Sequence, residues 1–331
     1  MLVHAALAAA GVLAVASAYV AFLIVRFMVR VFLADPTVTF EFDESAAAAL
    51  SSNSNVTVTP CAFPASDGTP LAGVLVRPTE GEHAASPRGV VVFAPEFGGD
   101  AETWHRYAEF VPRAGYWLLA FDFRGTGKSA PVPGYVPRKW ASERELSDLR
   151  GAVAYARTVA DGRFREVLLL GISRGGLSSL ALAQDDAGIP GVVLEGAGST
   201  LEVIHSYTEK WSRVFASERL CAAIPWSVYR WVSRLVLRIS EWRAGYRFLE
   251  LNELRAPASG GPCLFIHGQR DRHVTPSMAQ AAFDRWPGPK ELWMVAGARH
   301  NGAAQKQPEE YRERVLGHLE KLRSRVVAQT I

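Results

Sequence analysis

Ser173 stands between two glycines in the string Gly171-Ile172-Ser173-Arg174-Gly175-Gly176. A serine hydroxyl becomes a useful nucleophile only where a base takes its proton, and a sharp strand-to-helix turn is one way to present it. The flanks fit that turn. Val167-Leu168-Leu169-Leu170 reads as a buried strand, and Leu177-Ser178-Ser179-Leu180-Ala181-Leu182-Ala183 reads as a helix. So tight a bend leaves no room for a Cβ two residues to either side, which makes Gly171 and Gly175 steric requirements. The helix start also presents unpaired backbone N–H groups, beginning with Arg174, where a developing oxyanion would lie.

A base and an acid follow downstream. Pro262-Cys263-Leu264-Phe265-Ile266-His267-Gly268 reads as a buried strand that runs through Gln269 and Arg270 to Asp271. Glu291-Leu292-Trp293-Met294-Val295 reads as another strand, followed by a loop carrying His300-Asn301-Gly302. Each of Ser173, Asp271 and His300 then falls just past the C-terminal end of a strand, where open α/β sheets place their ligands. In this reading His300 is the base for Ser173, and Asp271 fixes its tautomer and stabilises the imidazolium. His267 and His273 compete with His300, and Glu195 competes with Asp271. His267 sits before a glycine at a strand end, a structural position, and His273 is too close in sequence to Asp271 to pair with it. The Asp271 loop matches the commoner arrangement for the acid.

The order Ser173, Asp271, His300 and the elbow resemble the α/β-hydrolase superfamily over roughly residues 55 to 326. Phe121-Asp122-Phe123-Arg124-Gly125-Thr126-Gly127-Lys128-Ser129 is similar to that family's loop after the fourth strand. The His300-Asn301 pair is similar to that of a subgroup held to membranes by one N-terminal helix. The resemblance implies a mostly parallel central sheet with helices on both faces and a helical lid insertion. By position it places the oxyanion donors on the backbone N–H groups of Phe97 and Arg174.

The loop after the third strand departs from the common His-Gly-x-Gly-Gly pattern, because Pro95-Glu96-Phe97-Gly98-Gly99 stands there. Main-chain donors survive such a change. A carboxylate beside an oxyanion would oppose it, however, unless Glu96 points away or pairs with an arginine. The Glu-Phe-Gly string also resembles the loop of dienelactone hydrolases, whose nucleophile is cysteine; serine at 173 argues against that branch.

The elements that must position these residues follow from the pattern. Strands and helices alternate over residues 90–196, the mark of a parallel sheet, after a hairpin at 56–63 and 71–77. Tyr311, Val315, Leu319 and Leu322 share one face of a closing helix over 308–326. At 331 residues and 49% hydrophobic, the chain suits one catalytic domain with an insertion. Cys61, Cys221 and Cys263 form neither a disulfide framework nor a zinc pattern, so no metal and no cofactor is expected. A net charge of +3 gives no sign of nucleic acid as a partner. Lys128-Ser129 follows Gly127, but Asp122 occupies the position where a nucleotide-binding phosphate loop needs its first glycine, so no nucleotide is expected either.

Residues 5–25 carry no charge and reach about 31 Å as a helix, enough to cross a bilayer core. No Lys or Arg precedes the run, and it continues past the small-residue site Ala16-Ser17-Ala18, so an uncleaved anchor is favoured over a signal peptide. Arg26 and Arg30 follow it, which places the C-terminal side in the cytoplasm. The expected organisation is a transmembrane anchor at 1–33, a tether at 34–55 and a catalytic domain at 56–331. The lid insertion is expected at about 199–261. There Arg230, Arg234 and Arg238 recur every four residues, while Trp231, Leu235 and Trp242 fall on another face with Val228 and Ile239 beside them. That face either packs on the catalytic core or rests on anionic lipid. The function expected is a membrane-anchored serine hydrolase of carboxylic esters, with a small, lipophilic ester as substrate. The alternatives are an amide hydrolase of the serine aminopeptidase type and a catalytically silent acyl-chain or lipid-binding module.

Overall fold

The computed structural model describes residues 2–34, 55–159, 166–215, 217–253 and 255–330. Its strands are β1 (Val56–Pro64), β2 (Pro70–Pro78), β3 (Val90–Ala94), β4 (Trp117–Phe121), β5 (Val167–Ile172), β6 (Val192–Glu195), β7 (Cys263–Gly268) and β8 (Lys290–Val295). The longer helices are α1 (Leu2–Leu33), α2 (Glu143–Val159), α3 (Arg174–Ala183), α4 (Thr200–Phe215), α5 (Trp226–Ala244), α6 (Pro276–Arg285) and α7 (Pro308–Thr330). The chain divides into two compact units. One joins Met1–Ala34 with Thr200–Arg247, and the other joins Asp35–Ser199 with Phe248–Ile331.

The larger unit is built on an eight-stranded sheet in the order β1-β2-β4-β3-β5-β6-β7-β8. β1 and β2 pair antiparallel, β2 joins β4 antiparallel, and β3 to β8 are parallel. The central strands β3, β4, β5 and β6 are buried at every position. That is why they read as unbroken apolar runs and not as alternating ones. One core cluster packs Leu169, Leu149 and Ala181 on one side of the sheet; another packs Leu170, Tyr107 and Leu319 on the other. Tyr311, Val315, Leu319 and Leu322 of α7 are all buried there, on the face expected from their spacing. The stretch between β3 and β4 holds three short helical pieces, Ala101–Thr103, Trp104–Ala108 and Phe110–Arg113. Pro112 lies in the last of them and cannot donate the backbone hydrogen bond a longer helix would need.

The smaller unit is helical. Ile24, Val25, Met28, Val29 and Phe32 of α1 are buried, and α1 packs on α4 and α5. Among the described residues no helix is long and apolar enough to cross a membrane. The span expected at residues 5–25 lies within α1, and the side chains at 5–10, 12–14, 16 and 17 lie outside the described residues. The side chains of its C-terminal half are described. Its apolar stripe continues beyond Arg26 at helical spacing and is buried against protein. The tether expected at 34–55 lies almost wholly outside the described residues.

The insertion is shorter than the sequence implied, because residues 248–261 belong to the α/β unit. Phe248 bridges Ser142, the Leu249 amide donates to Ala141 O at 2.8 Å, and the Ala258 amide donates to Ala183 O at 2.8 Å. Leu251 completes the core there. Within α5 the buried positions are Tyr229, Val232, Ser233, Val236, Leu237 and Ser240. The Trp231–Leu235–Trp242 face, read from sequence as a candidate packing face, is not the buried one. Small hydroxyls decide this: Ser233 lies against Thr208 and His205 of α4, and the Tyr229 hydroxyl lies 3.1 Å from the Ser212 hydroxyl. Close helix packing selects the side with the short side chains.

Candidate active site

The elbow forms as its glycines require. Ser173 holds φ +49°, a conformation costly for a residue with a Cβ, and its amide donates to Glu195 O at 2.7 Å. A Cβ on Gly171 would lie 2.6 Å from Gly175 O, and one on Gly175 would lie 2.1 Å from Ala94 O. Both contacts are with backbone, which has nowhere to go. The two glycines let β5, α3 and the end of β3 meet around the serine.

The three predicted side chains come together. Ser173 Oγ lies 3.2 Å from His300 Nε2, and His300 Nδ1 lies 2.6 Å from Asp271 Oδ2. The carboxylate is fully buried and its other oxygen, Oδ1, accepts the amides of His273 at 2.8 Å and Val274 at 3.1 Å. With Oδ1 tied to its own loop, Oδ2 is left to accept the Nδ1 proton, so Nε2 faces Ser173 as the acceptor. His267 is structural: its Nε2 donates to Val274 O at 2.8 Å, and burial lowers its pKa, favouring the neutral ring. It therefore braces the Asp271 loop. Glu195 is not the partner of His300, because its Oε1 accepts the Ala303 amide at 2.7 Å.

The loop after β3 lies against the elbow. A Cβ on Gly175 would also lie 2.8 Å from Pro95 O, and the Arg174 guanidinium stands over the Phe97 ring at 5.4 Å. Phe97 and Arg174, the residues expected to offer oxyanion donors, are therefore neighbours. The Arg174 amide opens α3, where helix N–H groups have no intrahelical acceptor. Its side chain turns away to Arg138 O at 3.0 Å and to Glu145.

Glu96 finds its partner on the short helix Trp104–Ala108. Its carboxylate is buried and accepts the Tyr107 hydroxyl at 2.8 Å, and burial raises its pKa towards the neutral form. Burial thus disfavours the charge that would oppose an oxyanion, while the carboxyl stays within electrostatic reach of His300. Glu195 is wholly buried nearby, with its carboxyl pushed up to about 7 by desolvation. Sequence reasoning missed the device that uses these acids. Tyr107 reaches Asn301 O at 3.4 Å, Arg106 reaches it at 3.1 Å, and Asn301 holds φ +52°. Glu96, Tyr107, Arg106 and Glu195 therefore fasten the 300–303 loop that carries His300. The Pro-Glu pair in an unusual place was the one visible signal.

The loop after β4 is structural. Asp122 accepts the amides of Ala101 at 2.6 Å and Lys128 at 2.7 Å, and Arg124 pairs with Asp148 through two nitrogens at 2.8 and 2.6 Å. Asp122 also crowds Gly127, where a Cβ would lie 2.4 Å from its carboxylate carbon.

A serine on an elbow after the fifth strand, an acid after the seventh and a histidine after the eighth define an α/β hydrolase. The family model for serine aminopeptidases, S33, matches residues 85–234. The Pyrococcus furiosus esterase Pf2001 superposes with a TM-score of 0.59 at 20% identity, covering 87% of this chain and 97% of that one. A hypothetical protein PA2218 from Pseudomonas aeruginosa gives 0.56 at 20% identity, over 80% and 95%. The uncharacterized protein YfhR of Escherichia coli O157:H7 is 23% identical over 260 residues, 78% of each chain. YfhR of Salmonella typhi is 29% identical over 43% of this chain and 50% of its own length. The chain has the α/β-hydrolase fold, and its residues 85–234 are similar to the serine aminopeptidase family.

Proposed function

We propose that the protein is a serine hydrolase of carboxylic esters. The observation that carries the reading is the unbroken line from Ser173 Oγ through His300 to the buried carboxylate of Asp271. His300 Nε2 removes the Ser173 proton as Oγ adds to the ester carbonyl, and Asp271 stabilises the imidazolium. The N–H groups of Phe97 and Arg174 receive the oxyanion. The alcohol leaves with the proton from His300, and water, deprotonated by the same nitrogen, then releases the acid from Ser173.

Ester is favoured over amide on chemical grounds. An alcohol is the better leaving group, so a Ser-His-Asp triad turns over an ester faster than the matched amide, although His300 can protonate either leaving group. The likeness of residues 85–234 to serine aminopeptidases supports amide cleavage as a second reading. A silent binding module is disfavoured by the base that stands 3.2 Å from Ser173 Oγ.

A fluorophosphonate probe tests the serine. Labelling of the full chain that vanishes in Ser173→Ala is expected, and a folded wild type that never labels overturns the proposal. Matched p-nitrophenyl esters and p-nitroanilides then separate the two substrate classes. Faster turnover of the anilide at equal acyl group would transfer the assignment to amides.

A further inference from the structure

The helical unit carries nearly all of the exposed apolar bulk of the molecule. Among the described residues Tyr19, Phe22, Trp226, Trp231 and Trp242 stand well exposed, with Trp242 at 80%, and all five lie in α1 or α5. Scattered exposed apolar residues need no explanation, but a contiguous aromatic patch does. Phe22 and Trp231 line a groove of about 710 Å³ between α1 and α5, and the other three rings stand exposed on the same two helices. Its walls are Phe22 and Val25 of α1 facing Trp231 and Leu235 of α5, with Arg26, Arg30 and Arg243 among them.

Charge is divided between the two units in the same way. Residues 1–34 and 200–247 together hold ten Lys and Arg against four Glu, a net of +6. The whole chain is only +3, so the α/β unit is −3. Among the described residues, Arg26, Arg30, Arg234 and Arg243 have no carboxylate partner, whereas Arg238 is paired with Glu241 at 3.1 Å. A self-contained protein surface would pair these guanidiniums or interleave them with acids, as the α/β unit does at Arg150–Asp185 and Arg314–Glu310. Here the apolar face lies open and the cations beside it are unspent.

We infer that the α1–α5 face is a docking surface for an anionic lipid bilayer, with the groove taking acyl chain and interfacial tryptophans while the arginines meet lipid phosphates. The two requirements of an interfacial helix pair are met at once: an aromatic-aliphatic face at the acyl boundary and arginines long enough to reach the headgroups. Tryptophan is suited to that depth, because its ring is apolar and its N–H still finds a polar partner. This inference stands apart from the hydrolase reading, since it uses none of the residues around Ser173.

The test is vesicle co-sedimentation of the full chain with phosphatidylcholine alone and with phosphatidylcholine containing one-third phosphatidylglycerol. Binding to the anionic vesicles that falls as salt rises is expected, with little binding to the neutral ones. Arg26→Gln/Arg30→Gln/Arg243→Gln should weaken anionic binding about a hundredfold. Trp231→Ala/Trp242→Ala should weaken it while leaving its salt dependence, and tryptophan fluorescence should shift to the blue on binding. Both variants should keep fluorophosphonate labelling at Ser173, which shows that they are folded and separates this inference from the catalytic one. Equal, salt-resistant binding to neutral vesicles would overturn the proposal in favour of insertion. Absence of binding, or a concentration-dependent dimer abolished by Trp231→Ala/Trp242→Ala, would overturn it in favour of a solvent-facing or self-associating surface.

Discussion

The α/β unit and the helical unit handle polar and apolar groups in opposite ways. In the first, buried charges are held by named partners: Arg124 by Asp148 and Asp67, Asp271 by His300 and two amides, Glu96 by Tyr107. Gly171 and Gly175 there fill contacts where no Cβ fits. In the second, hydroxyls line the helix contact, while aromatic rings and arginines face outward. A unit that holds reacting atoms to fractions of an ångström needs a closed network. A unit that meets a fluid surface needs exposed groups whose partners come from outside.

That contrast can be broken at several points. The largest effect belongs to the elbow: Ser173→Ala should lower ester turnover on the order of 10⁴-fold or more with stability little changed, measured by steady-state kinetics and denaturant melts. Next comes Gly175→Ala, whose Cβ would meet Ala94 O at 2.1 Å. It should destabilise by about 3 kcal/mol or prevent folding, as read by urea unfolding. Gly245→Ala at the end of α5, where nothing crowds the Cβ and only the φ of +74° objects, should cost about 1 kcal/mol. Equal costs at the two glycines would erase the distinction between a packed and an open unit.

A smaller effect concerns Glu195. Its folded carboxyl is raised to about 7 from 4.5 by burial. A raised pKa favours the folded state below the unfolded value and loses that contribution as pH climbs through the folded one. Wild type should therefore lose stability between about pH 4.5 and 7 relative to Glu195→Gln, which keeps the Ala303 amide partnered and cannot ionise. Parallel melts of the two proteins across that window check it; coincident pH dependence would remove the buried acid from the account of the His300 loop. Smallest of all, Trp242→Ser should alter stability by about 0.5 kcal/mol or less, since the ring is almost wholly exposed.

The order of the reactive residues was readable because the parallel sheet turns chain order into spatial order. Each strand end supplies one loop, and the loops after β5, β7 and β8 can meet only at one edge. Gly171 and Gly175 were readable because sterics around a positive-φ serine admit nothing else. Three features were not legible. The fate of Glu96 depended on Tyr107, a residue on the short helix Trp104–Ala108 that no motif marks. The end of the insertion depended on Phe248 and Leu251 finding the α/β core. The buried face of α5 depended on which of its sides met serine and threonine on α4.

By itself, then, the sequence determined the local chemistry: a serine on an obligatory glycine turn, a histidine and a carboxylate at strand ends, and an apolar N-terminal helix followed by arginines. These follow from steric and hydrophobic rules that act over a few residues or one strand. Tertiary structure alone decided which carboxylate holds His300, where the Glu96 charge goes, and which apolar stripes are buried and which stay open. Those outcomes depend on partners far apart in the chain. A side chain's direction, and the proton it keeps, are set by what folding brings beside it.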